Sequence, residues 1–422
     1  MNYHYQDGAL HVEKLRLSDI AHDVSTPCYI YSAGLIRDRA TKLRDAVQAP
    51  WPENKKPFIA FACKANSNIA ILRLMKTLGI GMDIVSGGEL SRCLAAGVDA
   101  RNIIFSGVGK TDGELAFAIN SGIHQINVES EAELLRLDEI SKKLAKRVRI
   151  ALRFTPDVDS EAHEKTSTGE EENKFGLMRE EVFRLFREFR NHEFLQLNGL
   201  SMHIGSGVPR LDPFREAFDI MAKLVRDLRD DGATVTQIDL GGGLWIPYLD
   251  EPFPNLADYG RMIYDIFAPL DLQIALEPGR IMVAESGALV TSVIFNKQRT
   301  DKRFVIVDAA MNDLIRPTLY DAYHKILPLV QTNAAPSLCD VVGPVCETGD
   351  YLALDREMAD LENGDMVAVM NAGAYGSVMS STYNSRPLIP EVLVDGDKYY
   401  VIRERQKLED VWANEKIPEY LK

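Results

Sequence analysis

Several residues at the ends of apolar runs in this chain are of types that do chemistry. Lys64 closes the run Phe58-Ile59-Ala60-Phe61-Ala62-Cys63, within FACKANSN. A lysine there can simply reach solvent, or it can be an imine-forming amine that sheds its charge more easily when partly buried. His203, in MHIGSG, can be a satisfied core histidine or a ring that stacks on a ligand. Gly241-Gly242-Gly243 can be a tight bend, or a turn whose backbone N–H groups approach a phosphate. Glu277 and Arg280, in EPGR, can form a local ion pair. Alternatively, Glu277 holds a cationic partner while Gly279 and Arg280 lie near an anion.

Together these types specify pyridoxal 5'-phosphate: an imine-forming lysine, an acid for a pyridinium nitrogen, a stacking ring and a glycine-rich phosphate turn. The cofactor is an electron sink tuned by the partner of its ring nitrogen. An acid at that nitrogen suits carbanion chemistry, including decarboxylation. An aldolase that works through a lysine imine would need the lysine but not the rest.

Such groups must be placed by a frame. Apolar runs recur at FIAFAC (58–63), GMDIVS (81–86), IIFSG (103–107), QINVES (125–130), VRIALRF (148–154), GLSMHIG (199–205), QIDLGGG (237–243) and QIALEPG (273–279), with helix-like stretches between them. Near-continuous apolar strands alternating with helices predict a parallel sheet covered by helices. Eight such units predict an α/β fold, a closed (β/α)8 TIM-type barrel over 33–285, whose functional groups sit at the C-terminal strand ends. An open doubly wound sheet is the alternative. Residues 286–422 read as strands joined by turns, so a second, mostly β domain is expected, formed with residues 1–32. A polar loop over 157–177 is long enough to be functional.

Composition narrows the function. The chain of 422 residues is 46% hydrophobic and 26% charged, ordinary for a globular protein, with a net charge of -14. An acidic chain without basic blocks is a poor nucleic-acid binder. No apolar run is long enough to cross a bilayer, and the N-terminus lacks a signal-peptide pattern. Five cysteines without metal-type spacing predict free thiols, no metal site and a cytoplasmic location.

The chain resembles the diaminopimelate decarboxylases, fold-type III pyridoxal-phosphate enzymes of the alanine racemase-like barrel group. The resemblance runs from about residue 25 to about 405. It is carried by FACKANSN, GMDIVSGGELSRCLAAGV, IIFSGVGKT, ENKFGL, MHIGSG, LGGGL, LEPGR, MNDLIRPTLYDAYH, GPVCETGD and GAYGSVMSSTYNSRP. It implies that Lys64 bonds the cofactor, His203 stacks on its ring and Glu277 partners the ring nitrogen. It implies that Ser206, Gly242, Gly279 and Arg280 hold the phosphate, and that Tyr375 reaches both phosphate and substrate. Cys346 resembles the cysteine that acts at the substrate's α-carbon. In this family that residue comes from the partner subunit, which implies a homodimer. The chain departs from the family at Thr155, where Asn is frequent, at Gly207, where Gln is usual, and at Trp245, where a smaller residue is usual.

Within the group the distal end of the substrate decides specificity. Ornithine presents only an ammonium there, whereas meso-2,6-diaminopimelate presents an ammonium and a carboxylate. Arg280, Arg316 and Tyr320 can take a carboxylate, for which the guanidinium fork is suited, and Glu347 can take the ammonium. The resemblance thus implies decarboxylation of meso-diaminopimelate to L-lysine, the last step of lysine synthesis. The alternatives are an ornithine- or arginine-type decarboxylase and a non-catalytic pyridoxal-phosphate-binding regulator.

Overall fold

The computed structural model of the protein describes residues 3–160, 168, 174–249, 251–300, 302–332 and 334–422. It comprises two compact units. Arg37–Pro247 with Glu251–Met282 form one, and Met1–Ile36, Tyr248–Asp250 and Val283–Lys422 form the other.

The first unit holds eight strands: β1 (Phe58–Ala62), β2 (Gly81–Ile84), β3 (Ile103–Phe105), β4 (Gln125–Val128), β5 (Val148–Arg153), β6 (Leu195–Ser201), β7 (Gln237–Asp239) and β8 (Gln273–Leu276). They close into a barrel. The decisive pairing is β8 with β1, parallel, with Ala275 opposite Phe58 and Leu276 opposite Ile59. An open sheet is therefore excluded. Successive side chains alternate between the lumen and the helix layer: Asp83, Ile104 and Asn127 share the inward face, while the fully buried Phe61, Met82, Phe105, Ile126 and Leu200 lie on the opposite face, toward the helices.

Each strand hands over to a helix quickly, because a capping residue follows it. Asn68 accepts from the N–H of Ala70 to start α1 (Ile69–Thr77). Ser86 starts α2 (Gly87–Ala95), Thr111 with Glu114 forms a capping box on α3 (Asp112–Ser121), and Ser130 starts α4 (Glu131–Leu144). These side chains satisfy N–H groups that a helix start otherwise leaves bare. Then come α5 (Arg179–Glu188), α6 (Asp212–Asp230) and α7 (Leu256–Phe267). Helix α6 buries Phe214, Phe218, Met221, Val225 and Leu228, one apolar stripe along its length.

Three expectations need adjustment. The sixth strand begins four residues earlier than expected, at Leu195, and ends at Ser201, so His203 stands in the loop beyond it. The seventh ends at Asp239, because Gly241 takes φ +67 and Gly243 φ +113, conformations that leave a strand. The eighth strand is followed only by the short helix Arg280–Val283. Residues 161–167 and 169–173 of the expected loop lie outside the described residues.

In the second unit Gly287–Gln298 pairs antiparallel with Cys28–Ser32, Arg303–Val307 and Met366–Val369. Cys28–Ser32 also pairs parallel with Glu391–Asp395. Leu10, Val12, Leu17, Ile30, Val290 and Val392 belong to its core. Strands Pro336–Val342 and Tyr351–Ala359 escaped the sequence reading, since both carry exposed polar residues that blur the apolar pattern. Among the described residues no helix is long and apolar enough to cross a membrane.

Phe61 lies in β1 on its helix-facing side with no exposed surface. Phe61→Ala is expected to cost about 3–5 kcal/mol of stability, read by chemical denaturation. A loss below about 1 kcal/mol would contradict close packing between the barrel strands and their helices.

Candidate active site

Lys64 lies on the turn Cys63–Ala65 just past β1, and its Nζ meets Asp83 Oδ2 of β2 at 2.6 Å. Asp83 is completely buried while the lysine side chain keeps about a third of its surface, 34%. The ammonium thus stands at the edge of the barrel mouth, held by an acid on its floor. Among the described residues the other Asp83 oxygen, Oδ1, is buried without a hydrogen-bond partner.

Glu277 follows β8. Its N–H donates to the carbonyl of Gly241 at 2.7 Å, which ties the end of β8 to the turn after β7. A Cβ on Gly242 would lie 2.3 Å from the Glu277 carbonyl oxygen, and one on Gly241 2.5 Å from the carbonyl of Met202. Close backbone approach alone therefore demands glycine at both positions. The Glu277 carboxyl accepts from Ser106 Oγ at 3.0 Å and from Asn127 Nδ2 at 3.3 Å, both on Oε1. Burial, then the neighbouring Asp239 and Asp83, pushes this carboxyl well above the usual carboxylate range.

The N–H of Gly242 donates to His203 Nδ1 at 3.2 Å. That bond requires Nδ1 to be bare, so the ring is neutral with its proton on Nε2. Burial, then the cations Arg153 and Lys64, holds its pKa well below the ordinary histidine value. Arg280 is buried, and its Nη2 donates to Ser206 Oγ at 3.0 Å. A Cβ on Gly279 would meet the Cβ atoms of Ala62 and Ala65 at 3.1 Å. The six-membered ring of Trp245 covers Gly207, 3.2 Å from where a Cβ would stand, so two of the departures from the family pattern touch one another. Thr155, the third, donates from its hydroxyl to the carbonyl of Phe175 at 2.7 Å.

The remaining predicted residues lie in the second unit. Arg316 is buried, stacks over the ring of Tyr248 at 5.2 Å and donates from Nη1 to its hydroxyl at 2.8 Å. Tyr320 ends the same short helix, Arg316–Tyr320, half-buried. Cys346 and Glu347 are exposed; the N–H of Cys346 donates to Asn384 Oδ1 at 2.8 Å. Tyr375 adopts φ +55, in the left-handed region that a bulky residue enters only when its surroundings hold it there.

The donor set in the barrel fits pyridoxal phosphate. It has one amine beside a buried acid, a deeper carboxyl whose acid form is favoured by burial, a neutral imidazole, and glycine turns with a buried arginine. A family model described as "Pyridoxal-dependent decarboxylase, pyridoxal binding domain" matches residues 34–284. A diaminopimelate decarboxylase of Zymomonas mobilis is 42% identical over 419 residues, 99% of both chains. The chain belongs to the diaminopimelate decarboxylase family. Solved diaminopimelate decarboxylases agree in structure. One from Helicobacter pylori, complexed with L-lysine, is 41% identical over 94% of this chain and 98% of that one, with a TM-score of 0.89. One from M. jannaschii, also with L-lysine, is 33% identical over 100% and 99%, with a TM-score of 0.95.

For this decarboxylase family member, sequence reasoning passed over Asp83, Ser106, Asn127 and Asp239. All four lay in the quoted apolar runs. A polar residue inside a buried strand is costly unless it is hydrogen-bonded, and four of them near the ends of separate runs were the available signal.

Gly242→Ala is expected to push the Glu277 carbonyl away. It should weaken retention of pyridoxal phosphate on dialysis and lower the thermal midpoint. Retention and midpoint equal to the parent's would contradict the close approach.

Proposed function

We propose that the protein decarboxylates meso-2,6-diaminopimelate to L-lysine and CO2. The observation that carries this reading is likeness over at least 94% of the chain to diaminopimelate decarboxylases, two of them solved with L-lysine. When bound, pyridoxal phosphate supplies an aldehyde carbon for an amine and a ring that takes up the electron pair left when CO2 departs.

The residues divide the remaining work. Lys64 Nζ is the amine that bonds the cofactor, and Asp83 Oδ2 is placed to take the proton it must shed. Glu277 attends the ring nitrogen. His203, neutral, offers a flat face without adding charge. Ser206, Gly242, Gly279 and Arg280 take the phosphate, and Tyr375 reaches phosphate and substrate. Arg316, Tyr320 and Arg280 bind the distal carboxylate, and Glu347 the distal ammonium. Fixing the distal end orients the scissile carboxylate, so binding energy remote from the reaction is spent on geometry. Cys346 Sγ then supplies the proton to the α-carbon, with Lys64 Nζ as the competing donor. The protein acts as a cytoplasmic homodimer in which Cys346 serves the partner's site, with a barrel domain over 33–285 and a β domain over 1–32 and 286–422.

The test is a substrate panel of meso-diaminopimelate, ornithine and arginine with CO2 detection. Lysine formation from diaminopimelate alone is expected; turnover of ornithine or arginine instead would replace this reading. Lys64→Ala should abolish the visible absorbance of the bound cofactor, and an unchanged spectrum would remove Lys64 from its role. Arg316→Ala should raise KM for diaminopimelate at least tenfold, the loss of about 1.4 kcal/mol or more of binding. A KM within twofold of the parent's would end its assignment to the distal carboxylate.

A further inference from the structure

We propose that Asp239 is a positioning residue that keeps one proton on Glu277 for delivery to the cofactor's ring nitrogen. The proposal rests on the reading of Glu277 as the partner of that nitrogen. It begins from a geometric fact. One amide nitrogen, Asn127 Nδ2, donates both to Asp239 Oδ2 at 3.0 Å and to Glu277 Oε1 at 3.3 Å. Two carboxyl groups therefore converge on a single donor on the barrel axis.

That donor cannot turn away. Asn127 Oδ1 accepts from Gln125 Nε2 at 2.7 Å, and Gln125 Oε1 accepts from Gln237 Nε2 at 2.5 Å. All three amides are buried. The chain of amides runs along the inside of β4 and β7 and fixes which end of Asn127 faces the acids. Reversing it would leave buried donors facing donors.

Among the described residues the cations nearest the pair are each held by another acid, and the Lys64 charge offsets only part of the shift at Glu277. Lys64 is engaged by Asp83 and Arg153 Nη1 by Glu129, at 2.6 and 2.7 Å. His203 is neutral, and Ser106 contributes only a hydroxyl. Two buried carboxylates this close cannot both ionise, so the pair binds one proton. Its location follows from the donors. Both oxygens of Asp239 accept N–H bonds, Oδ1 from Gly241 at 3.0 Å and Oδ2 from Asn127, which stabilises the anion there. The bonds to Glu277 from Ser106 and Asn127 go to Oε1, which leaves Oε2 to carry the proton. Burial and Asp239 raise the Glu277 carboxyl further, consistent with this location.

The transfer balances. The Glu277 Oε2–H bond breaks, an N–H bond forms at the lone pair of the ring nitrogen, and the two carboxylates left behind face one pyridinium cation. Without Asp239 the nearest negative charge beside Glu277 is gone, so its carboxyl gives up the proton at lower pH and a larger share of empty sites has already released it to solvent. The ring nitrogen must then draw a proton from the buffer.

The experiment is calorimetric titration of apo-protein with pyridoxal phosphate, in buffers of different ionisation enthalpy at one fixed pH above neutrality. The slope counts protons taken from solvent per site. Asp239→Asn is expected to take up more than the parent, by up to about one proton per site. Equal uptake overturns the proposal. A second measurement needs no substitution at Asp239. The infrared difference spectrum of the parent should lose a protonated-carboxyl band on cofactor binding, and Glu277→Gln should show no such loss. A parent spectrum without that loss overturns the proposal even if Asp239→Asn does not fold. Failure is distinguishable from failure of the functional reading: a protein that binds cofactor and releases lysine with an unchanged proton count loses only the role of Asp239. One that binds no pyridoxal phosphate overturns both.

Discussion

The turn after β7 and the end of β8 lie so close that only glycine fits between them. The Glu277 N–H reaches the Gly241 carbonyl, and the Glu277 carbonyl occupies the space a Gly242 side chain would need. This contact joins the last two strands where the barrel needs its functional groups. It sets the height of the Glu277 carboxyl in the barrel. It aims the Gly242 N–H at His203, which selects the imidazole tautomer. It also leads the chain directly into Gly279 and Arg280, and so to Ser206. A backbone requirement thus fixes side chains from three strand ends at once, and barrel closure through β8 and β1 brings Lys64 into the same frame.

Around that frame the barrel floor is acidic. Asp83, Glu129, Asp239 and Glu277 are buried there. Burying charge without a partner costs more than a domain can easily tolerate, so each acid is answered differently. Asp83 holds a lysine, Glu129 an arginine, Asp239 two N–H groups, and Glu277 a hydroxyl and a shared amide N–H. The differences in answer are what give each acid a different chemical task.

Much of this was legible beforehand. The alternation of apolar runs and helix-like stretches implied the barrel, because strand burial and helix caps are both written in local residue types. Lys64, His203, the glycine triplet and Glu277 stood out because each interrupts a run. Asp83, Asn127 and Asp239 did not, since each sits one or two residues inside a run and reads locally as a tolerated polar residue. Their meaning is collective: it arises when barrel closure turns β2, β4 and β7 to face one lumen, separations of 44 and 112 residues for Asp83–Asn127 and Asn127–Asp239 that no local pattern spans. The strands Pro336–Val342 and Tyr351–Ala359 were missed for a different reason, since polar exposure erased their period.

Gly207 and Trp245 form a coupled pair beside the site. Gly207 takes φ +90 under the Trp245 ring, so a side chain at 207 meets both backbone strain and an occupied space. The indole would have to give by a few tenths of an ångström before any side chain could stand at 207. The two positions therefore constrain one another: the space left above residue 207 is set by the ring at 245, and a change at either is felt at the other.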